Sequence, residues 1–481
     1  MLMNLLSFLT ASIFSSSYAI PVAGPDHGTL VSRSSSCWKA IQARSIGSVA
    51  SYTDRCSTSF DKTKPIVEYV LIVDAGSSGS RIHIYKFNHC KESPELESEI
   101  FDSTTPGLSS YAKDPEAAAK SLDELLDVAA KNVPEELHAC TPIAVKATAG
   151  LRLLGDKESQ AIIDAVQCRL EKSCPFALVK DNGVEVLDGK SEGVYGWITV
   201  NYLRDSLAVN ASDITAATFD LGGASTQIVF QPQNGMVVAD VAEKYLLTIN
   251  GRNFELYQHS YLGYGLNEAR KAIFHQTIQD ATAMDETIDV HELETITSPC
   301  IPPGQNQSVR LQVDGNTKEY HFVGKEKPCA HECREITDEI LHKNMICAVA
   351  PCAFDGIYQP SFQESFPKGD LYLFSAFYYR TKQLHLPAPF ATGILHQFEE
   401  NICAADYSQY PPELAKELSK DSQYCLDLNY ISSLLERGYG IPKSRKVYAT
   451  QELKGIELGW TLGAALPLLE HHDCKIEKVG P

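Results

Sequence analysis

The sequence predicts an α/β fold. From Val67 onward, apolar runs of strand length alternate with longer stretches in which apolar residues recur at helical spacing. Strands and helices in alternating order favour an α/β architecture. A short loop motif also occurs twice, each time directly after an apolar strand, so we expect two related halves.

The bulk composition limits the partners of the chain. Its 481 residues and 44% apolar content suffice for more than one buried core. The formal net charge is −19. Phosphate backbones are gripped by clustered Lys and Arg, which so acidic a composition lacks. We therefore expect no nucleic-acid partner, and any phosphate is expected to be bound locally.

The N-terminal segment predicts entry into the secretory pathway. Residues 1–23 are apolar and uncharged, with small residues at Ser17 and Ala19 that suit signal peptidase. The same run is about long enough to span a bilayer, so a cleaved signal peptide and a retained signal-anchor both stay open. Residues 24–65, rich in Ser, Gly and Thr, are predicted to form a stalk or linker.

The cysteines predict disulfide bonds. Fourteen cysteines are present, and an oxidising lumen favours their pairing. Candidate pairs are Cys347 with Cys352 and Cys403 with Cys425, while the rest of the connectivity stays open. Two sequons predict a glycoprotein and add support for a luminal location, at Asn210 and Asn306.

The predicted elements follow one another in a regular order after the linker. Each is assigned from its apolar period and its flanking turn residues. They are a strand over VEYVLIVDAG, a strand over RIHIYKF, a helix over PEAAAKSLDELLDVAAKNV, a strand over TPIAVKATAG and a helix over SQAIIDAVQCRLEKS.

The repeated motif predicts a clamp for a polyphosphate chain. DAGSSGSRIHI, from Asp74, aligns without a gap on DLGGASTQIVF, from Asp220. Each copy predicts strand, tight turn and strand, with backbone amides and hydroxyls able to cradle a phosphate. One such turn is usually a plain hairpin, but two in matching contexts suggest two loops facing one cleft. Asp74 and Asp220 are candidates to hold a hydrated Ca²⁺, Mg²⁺ or Mn²⁺, directly or through water.

Five motifs in order make the chain resemble the apyrase, or nucleoside triphosphate diphosphohydrolase, family, and especially its fungal Golgi guanosine diphosphatase branch. The resemblance covers residues 66 to 470. It implies an actin-like fold of two ribonuclease-H-like lobes, with the nucleotide between lobe I (66–190 and 447–481) and lobe II (191–446). The motifs are VDAGSSGSR from Val73, KATAGLRLL from Lys146, SEGVYGWITVNYL from Ser191, FDLGGASTQIVF from Phe219 and GWTLGAALPLL from Gly459.

The resemblance also implies roles for individual residues. Glu192 is the expected water-activating base, which agrees with a carboxylate on a turn leading into the helix VYGWITVNYL. Arg81 is expected at the terminal phosphate, although a salt bridge to a neighbouring carboxylate is equally open. The other phosphate-binding candidates are Gly76, Ser77, Ser78, Gly79, Thr148, Arg152, Gly222, Gly223, Ala224 and Ser225, and the base-binding candidates are Tyr379, Asp427 and Tyr430.

The implied function is metal-dependent hydrolysis of GDP and UDP in the Golgi lumen or at the Golgi membrane, where it would support luminal glycosylation. A secreted form is the alternative location. A broad apyrase that also cleaves triphosphates and a nucleotide-binding switch protein are the alternative functions. The sequence lacks a GxxxxGK loop, an HExxH motif and a GxSxG elbow, which sets aside P-loop, metalloprotease and serine-hydrolase classes. Base preference, the physiological metal and the oligomeric state stay open.

Overall fold

The computed structural model describes residues 53–284, 295–327 and 330–469. The predicted signal peptide or anchor and most of the predicted linker lie outside the described residues. Within the described ranges, no helix is both long and apolar enough to cross a membrane.

The first half of the chain builds a six-stranded sheet. Its order is β3-β2-β1-β4-β5, with β6 also paired to β4. β1 pairs antiparallel with β2 and parallel with β4. The three strands predicted here are confirmed. The strands are β1 (Val67–Ala75), β2 (Ser80–Asn88), β3 (Glu95–Thr104), β4 (Pro142–Ala147), β5 (Ala177–Leu178) and β6 (Val184–Val186).

The second half builds a seven-stranded sheet of order β15-β16-β14-β7-β8-β10-β9, a three-stranded sheet of β11, β13 and β12, and a β17–β18 hairpin. The strands are β7 (Ala217–Leu221), β8 (Ser225–Phe230), β9 (Lys244–Ile249), β10 (Arg252–Leu262), β11 (Thr295–Ser298), β12 (Asn306–Val313), β13 (Asn316–Gly324), β14 (Leu371–Ser375), β15 (Phe390–Ala391), β16 (Lys446–Ala449), β17 (Glu452–Leu453) and β18 (Ile456–Glu457).

Helices pack on both sheets, which confirms the α/β prediction. The helix predicted over 115–133 is two helices, because the Ser121 hydroxyl donates to the Ala118 carbonyl at 2.7 Å and competes with the backbone ladder. The helices are α1 (Pro115–Lys120), α2 (Asp123–Asn132), α3 (Ala149–Arg152), α4 (Asp156–Ser173), α5 (Gly189–Leu203), α6 (Leu266–Met284), α7 (Ala330–Glu339), α8 (Phe362–Ser365), α9 (Ala376–Thr381), α10 (Leu395–Cys403), α11 (Pro412–Leu418), α12 (Tyr424–Ser433) and α13 (Thr461–Ala465).

The repeated motif forms the same structure in both sheets. β1 and β2 are an antiparallel hairpin closed by Ala75 opposite Ser80. β7 and β8 form the second hairpin, closed by Leu221 opposite Thr226. The prediction of two strand-turn-strand copies is therefore confirmed. We call the two turns loop I (76–79) and loop II (222–224).

Three apolar cores hold the architecture together, and the central one lies between the two sheets. It joins residues of β1 and β2 to α5, β10 and the segment that ends in α13, with Trp197 fully buried. The segment around α13 is fixed in this core, because the amide of Gly463 donates to the hydroxyl of Thr199 on α5 at 2.9 Å. β16 pairs with β14 of the second sheet, so the chain leaves that sheet after Ala449. The lobe boundaries stay a prediction.

The two predicted disulfides, Cys347–Cys352 and Cys403–Cys425, are confirmed. A further bond, Cys56–Cys90, ties the described end of the predicted linker to the end of β2. The amide of Phe60 donates to the carbonyl of His89 at 2.7 Å in the same place. Residues 53–65 are therefore fixed to the first sheet. Cys300–Cys333 is also bonded.

Candidate active site

Loop I and loop II meet across a cleft between the two sheets. A methyl group added at Gly223 would lie 2.4 Å from the hydroxyl of Ser77, so the loops are in direct contact. The structure thus brings together the loop residues that the repeat singled out. Of the predicted phosphate ligands, the cleft is lined by Gly76, Ser77, Ser78, Arg81, Thr148, Gly222, Gly223, Ala224 and Ser225.

Loop II is held by the beginning of α6. The amide of Leu266 donates to the carbonyl of Gly222 at 2.8 Å, and that of Asn267 donates to Gly223 at 2.9 Å. These bonds engage two loop carbonyls, an arrangement that suits a loop offering its amides to an anion. Asn267 also lines the cleft.

Loop I is supported by α3. A Cβ at Gly150 would lie 2.7 Å from the Cα of Ser77, so the helix approaches the loop as closely as glycine allows. Thr148 lies at the N-terminus of this helix, and its amide donates to the carbonyl of Ala75 at 3.2 Å. Thr148 therefore faces the cleft beside the first loop, as the motif implied.

The two repeat aspartates lie at matching positions, one residue before the end of β1 and of β7. Burial raises the pKa of Asp74 above its ordinary value. Burial also raises the pKa of Asp220 to about 6, with Asp74 adding to the shift and a hydrogen bond from Ser375 opposing it. Each Oδ1 atom is buried without a hydrogen-bond partner among the described residues.

The aspartates fit a divalent cation. Within the described part of the chain, no cluster of three or more His, Cys, Asp or Glu side chains is arranged to hold a metal ion. Two carboxylates beside a phosphate loop nevertheless match Mg²⁺, which usually keeps several waters and takes substrate phosphate oxygens. The two buried, unpartnered Oδ1 atoms are hard oxygen donors of the required kind.

Glu192 lies in the first turn of α5. The helix begins there because the Asp188 carboxylate accepts from the amides of Lys190 and Ser191 at 2.9 and 3.0 Å. Gly193 lets this turn pack on β8, since a Cβ would lie 3.0 Å from Val229. The carboxylate of Glu192 lines the cleft and is 8% exposed.

The environment of Glu192 suits a base that acts near neutral pH. Burial raises its pKa to about 8; Arg152 opposes this shift, while Asp220 and Asp74 add to it. The Gln227 amide lies 3.3 Å from Glu192 Oε2 and 2.7 Å from the hydroxyl of Ser225. The pKa of Glu192 thus depends on both aspartates, and Gln227 connects its carboxylate to Ser225, the residue that follows loop II.

Three predicted phosphate ligands have additional or different contacts. Gly79 does not line the cleft; a Cβ there would lie 2.6 Å from the carbonyl of Thr104, so the glycine serves close packing. Arg152 donates to Glu192 and does not line the cleft. Arg81 lines the cleft and also lies 3.4 Å from Asp74, which is the salt bridge left open by the sequence.

Of the predicted base ligands, the structure brings only Tyr379 to the cleft, where it is 45% exposed. Tyr430 is fully buried, and its hydroxyl donates to the carbonyl of Tyr264 at 2.6 Å. Asp427 is fully buried and paired with Arg270 and Arg380. α12 packs into the apolar core of the second half of the chain, and neither side chain lines the cleft.

Several cleft residues were missed by the sequence reasoning. Ser375 ends β14 beside Asp220 and has a φ of 57°, a strained conformation for a non-glycine residue that occurs at functional sites. No local sequence signal announced it. Further residues that line the cleft include His83, Asn267, Tyr378, Gln451 and Glu457.

An interlobe cleft with paired phosphate loops is characteristic of the nucleotide-processing enzymes that share the actin-like fold. The profile of the GDA1/CD39 (nucleoside phosphatase) family matches residues 61–479. The chain belongs to this family and is an enzyme that hydrolyses nucleotides.

Curated relatives agree with this assignment. The probable guanosine-diphosphatase of Aspergillus fumigatus is 46% identical over 88% of this chain and 90% of its own length. The guanosine-diphosphatase of Saccharomyces cerevisiae is 43% identical over 85% of this chain and 82% of its own. Ectonucleoside triphosphate diphosphohydrolase 5 of Mus musculus is 35% identical over 84% and 88%.

A solved structure supports the predicted fold. The nucleoside triphosphate hydrolase of Neospora caninum superposes with a TM-score of 0.60 and covers 85% of this chain and 94% of its own, at 15% identity. At this identity the likeness concerns the fold alone. The actin-like fold predicted from the sequence is confirmed.

Proposed function

We propose that this enzyme hydrolyses nucleoside diphosphates, GDP and UDP among them, to the monophosphate and phosphate. The observation that carries the proposal is the convergence of Glu192, Asp74 and Asp220 in one cleft, since all three pKa values respond to their shared burial. The names of the fungal relatives support the diphosphate as substrate.

The two loops hold the phosphates of the substrate. Loop II and Ser225 take one phosphate, and Gly76, Ser77 and Ser78 of loop I, with Thr148, take the other. Arg81 lines the same cleft beside Asp74, with its side chain 31% exposed, and offers a guanidinium to the terminal phosphate. Tyr379 provides an exposed aromatic face for the base.

Asp74 and Asp220 would hold a divalent cation, directly or through water. The cation would supply positive charge against the phosphates of the substrate. Side chains of the protein orient the water and accept its proton.

Hydrolysis proceeds by in-line attack of water on the terminal phosphorus. The Glu192 carboxylate accepts a proton from the water as the new P–O bond forms. The bond from phosphorus to the bridging oxygen breaks, and the electron pair leaves with the nucleoside monophosphate. Gln227 and Ser225, joined to each other at 2.7 Å, lie beside Glu192, where they are able to orient the water.

The compartment is part of the proposal. Four disulfides among the described residues and an apolar segment at residues 1–23 support the lumen of the secretory pathway, and the Golgi in particular. There the enzyme would convert GDP left by glycosyl transfer to GMP. A secreted form is the alternative.

A broad apyrase is the second candidate, because the mouse relative carries triphosphate in its name. Phosphate release by residues 24–481 is measured with GDP, UDP, ADP, GTP and ATP, each with Ca²⁺, Mg²⁺ or EDTA. Metal-dependent release from GDP and UDP, at least about tenfold faster than from triphosphates, is the expected result. Comparable triphosphate turnover would make the enzyme a general apyrase, and no turnover would indicate a nucleotide-binding protein.

A further inference from the structure

A fully buried carboxylate joins two helices that end at the cleft. Asp427, on α12, accepts hydrogen bonds from Nε and Nη2 of Arg270 at 2.8 and 2.7 Å. Its Oδ2 atom also lies 2.5 Å from Nη2 of Arg380. Arg270 belongs to α6 and Arg380 to α9, so one carboxylate bridges both helices.

The two helices contribute different parts of the cleft. α6 begins with Leu266 and Asn267, whose amides are bonded to loop II. α9 carries Tyr378 and Tyr379, an edge-to-face aromatic pair with ring centroids 5.6 Å apart. These four residues all line the cleft. Arg380 comes directly after Tyr379, and Arg270 lies three residues after Asn267.

We propose that Asp427 is a positioning residue, which fixes the aromatic wall of α9 relative to phosphate loop II and so sets where the nucleoside lies. This inference rests on the proposed function, since it assigns the nucleoside end of the same cleft. α6 is the fixed arm, because its backbone bonds to loop II do not involve Asp427. α9 is anchored at its beginning by β14, which pairs with β7, and the carboxylate holds the end of α9 that carries Arg380 to α6.

The charges around Asp427 support this role. Arg380 is also paired with Asp421 at 3.0 Å and lies over the ring of Tyr424 at 4.0 Å. The cluster therefore contains two guanidinium groups and two carboxylates. Removing the charge of Asp427 leaves two partly buried cations facing each other with one partly exposed anion, which is expected to drive the end of α9 away from α6.

The experiment compares a substrate that has a base with one that lacks it. For Asp427→Asn, we expect the KM for GDP to rise at least about tenfold while kcat changes less than about threefold. Ribose 5-diphosphate has the same phosphates without a base, so its kcat/KM should stay within about threefold of wild type. Equal losses for both substrates, or an unchanged KM for GDP, would overturn the proposal.

Asp421→Asn is the matched control, because it removes the second partner of Arg380 and leaves the bridge intact. This variant should keep kcat/KM for both substrates within about threefold of wild type. If Asp427→Asn does not fold, Arg380→Gln removes the same bridge from the other side, with the same expected split. Calorimetric titration with GMP compares nucleotide binding by the variants without turnover. If the proposed diphosphatase function itself is wrong, the wild-type enzyme will release no phosphate from GDP, which distinguishes that failure from failure of this inference.

Discussion

Arg152, the last residue of α3, donates a hydrogen bond through Nη2 to Oε2 of Glu192 at the beginning of α5. A single charged contact therefore joins α3, which supports loop I, to α5, which carries the proposed base. The guanidinium stabilises the ionised carboxylate, against the burial that raises its pKa to about 8. The motif implies a phosphate contact for Arg152, and the structure shows its guanidinium bonded to Glu192 and 3.4 Å from the hydroxyl of Ser225.

Arg152→Gln should shift the acid limb of the pH–rate profile. Glu192 works as the ionised form, which is present above its pKa, so kcat/KM rises with pH through that pKa. Loss of the cation raises the pKa further, and the limb should move up by about one pH unit. Arg169→Gln removes an ion pair with Asp123 outside the cleft and should leave the profile in place. An unshifted limb in Arg152→Gln would separate Arg152 from the base.

Metal removal should abolish turnover. EDTA is expected to lower phosphate release at least about a hundredfold, with full recovery on adding Ca²⁺ or Mg²⁺. Asp74→Asn and Asp220→Asn should each raise the metal concentration for half-maximal activity at least about tenfold, because each loses a charged donor. Asp102→Asn, on the exposed edge of the first sheet, is the control. Equal metal requirements in all variants would remove the aspartates from the cation site.

Gly223→Ala should disrupt the contact between the two loops. A Cβ at this position lies 2.4 Å from the Ser77 hydroxyl, so the loops must separate or Ser77 must turn out of the cleft. We expect kcat/KM for GDP to fall at least about tenfold. Gly459 also lines the cleft but has no heavy atom within 4 Å of an added Cβ, so Gly459→Ala should change kcat/KM less than about threefold. Similar losses in both variants would contradict the close contact.

Much of the site was predictable because it is local in sequence. The hairpin around loop I needs a strand, a glycine-rich turn and a strand, and all three lie within about a dozen residues. Its duplication at loop II identified the functional pair without any tertiary information. The sequence reasoning placed Glu192 on a turn before the helix VYGWITVNYL, whereas α5 already begins at Gly189, because Asp188 caps it.

The rest depends on tertiary packing that no local pattern records. Arg152 lies in the motif KATAGLRLL, but only the tertiary fold brings its guanidinium to Glu192, 40 residues further along the chain. Asp427 and Tyr430 lie in an aromatic helix, where the sequence could not tell a base ligand from a core residue. Ser375 reaches the cleft because β14 runs parallel to β7 and ends beside it. Glu457 reaches it because the chain returns towards the first sheet after β16.

The Cys403–Cys425 bond should contribute to the stability of the region that carries Asp427. It joins α10 to α12 across 22 residues, and loop-closure entropy predicts a loss of about 3 kcal/mol in unfolding free energy for the paired serine variant. Cys347–Cys352 closes a span of 5 residues and should cost about 2 kcal/mol. Urea denaturation measures both. A larger loss for the short loop would show that local packing outweighs chain entropy here.

Glu192→Gln tests the central claim most directly, because it removes the base while keeping the size of the side chain. With GDP and Ca²⁺, the account predicts turnover lowered at least about a hundredfold and GMP affinity within about threefold of wild type. Turnover within about threefold of wild type would contradict the assignment of Glu192 as the base. Loss of GMP binding together with turnover would contradict it as well, since the carboxylate would then hold the nucleotide in place of activating water.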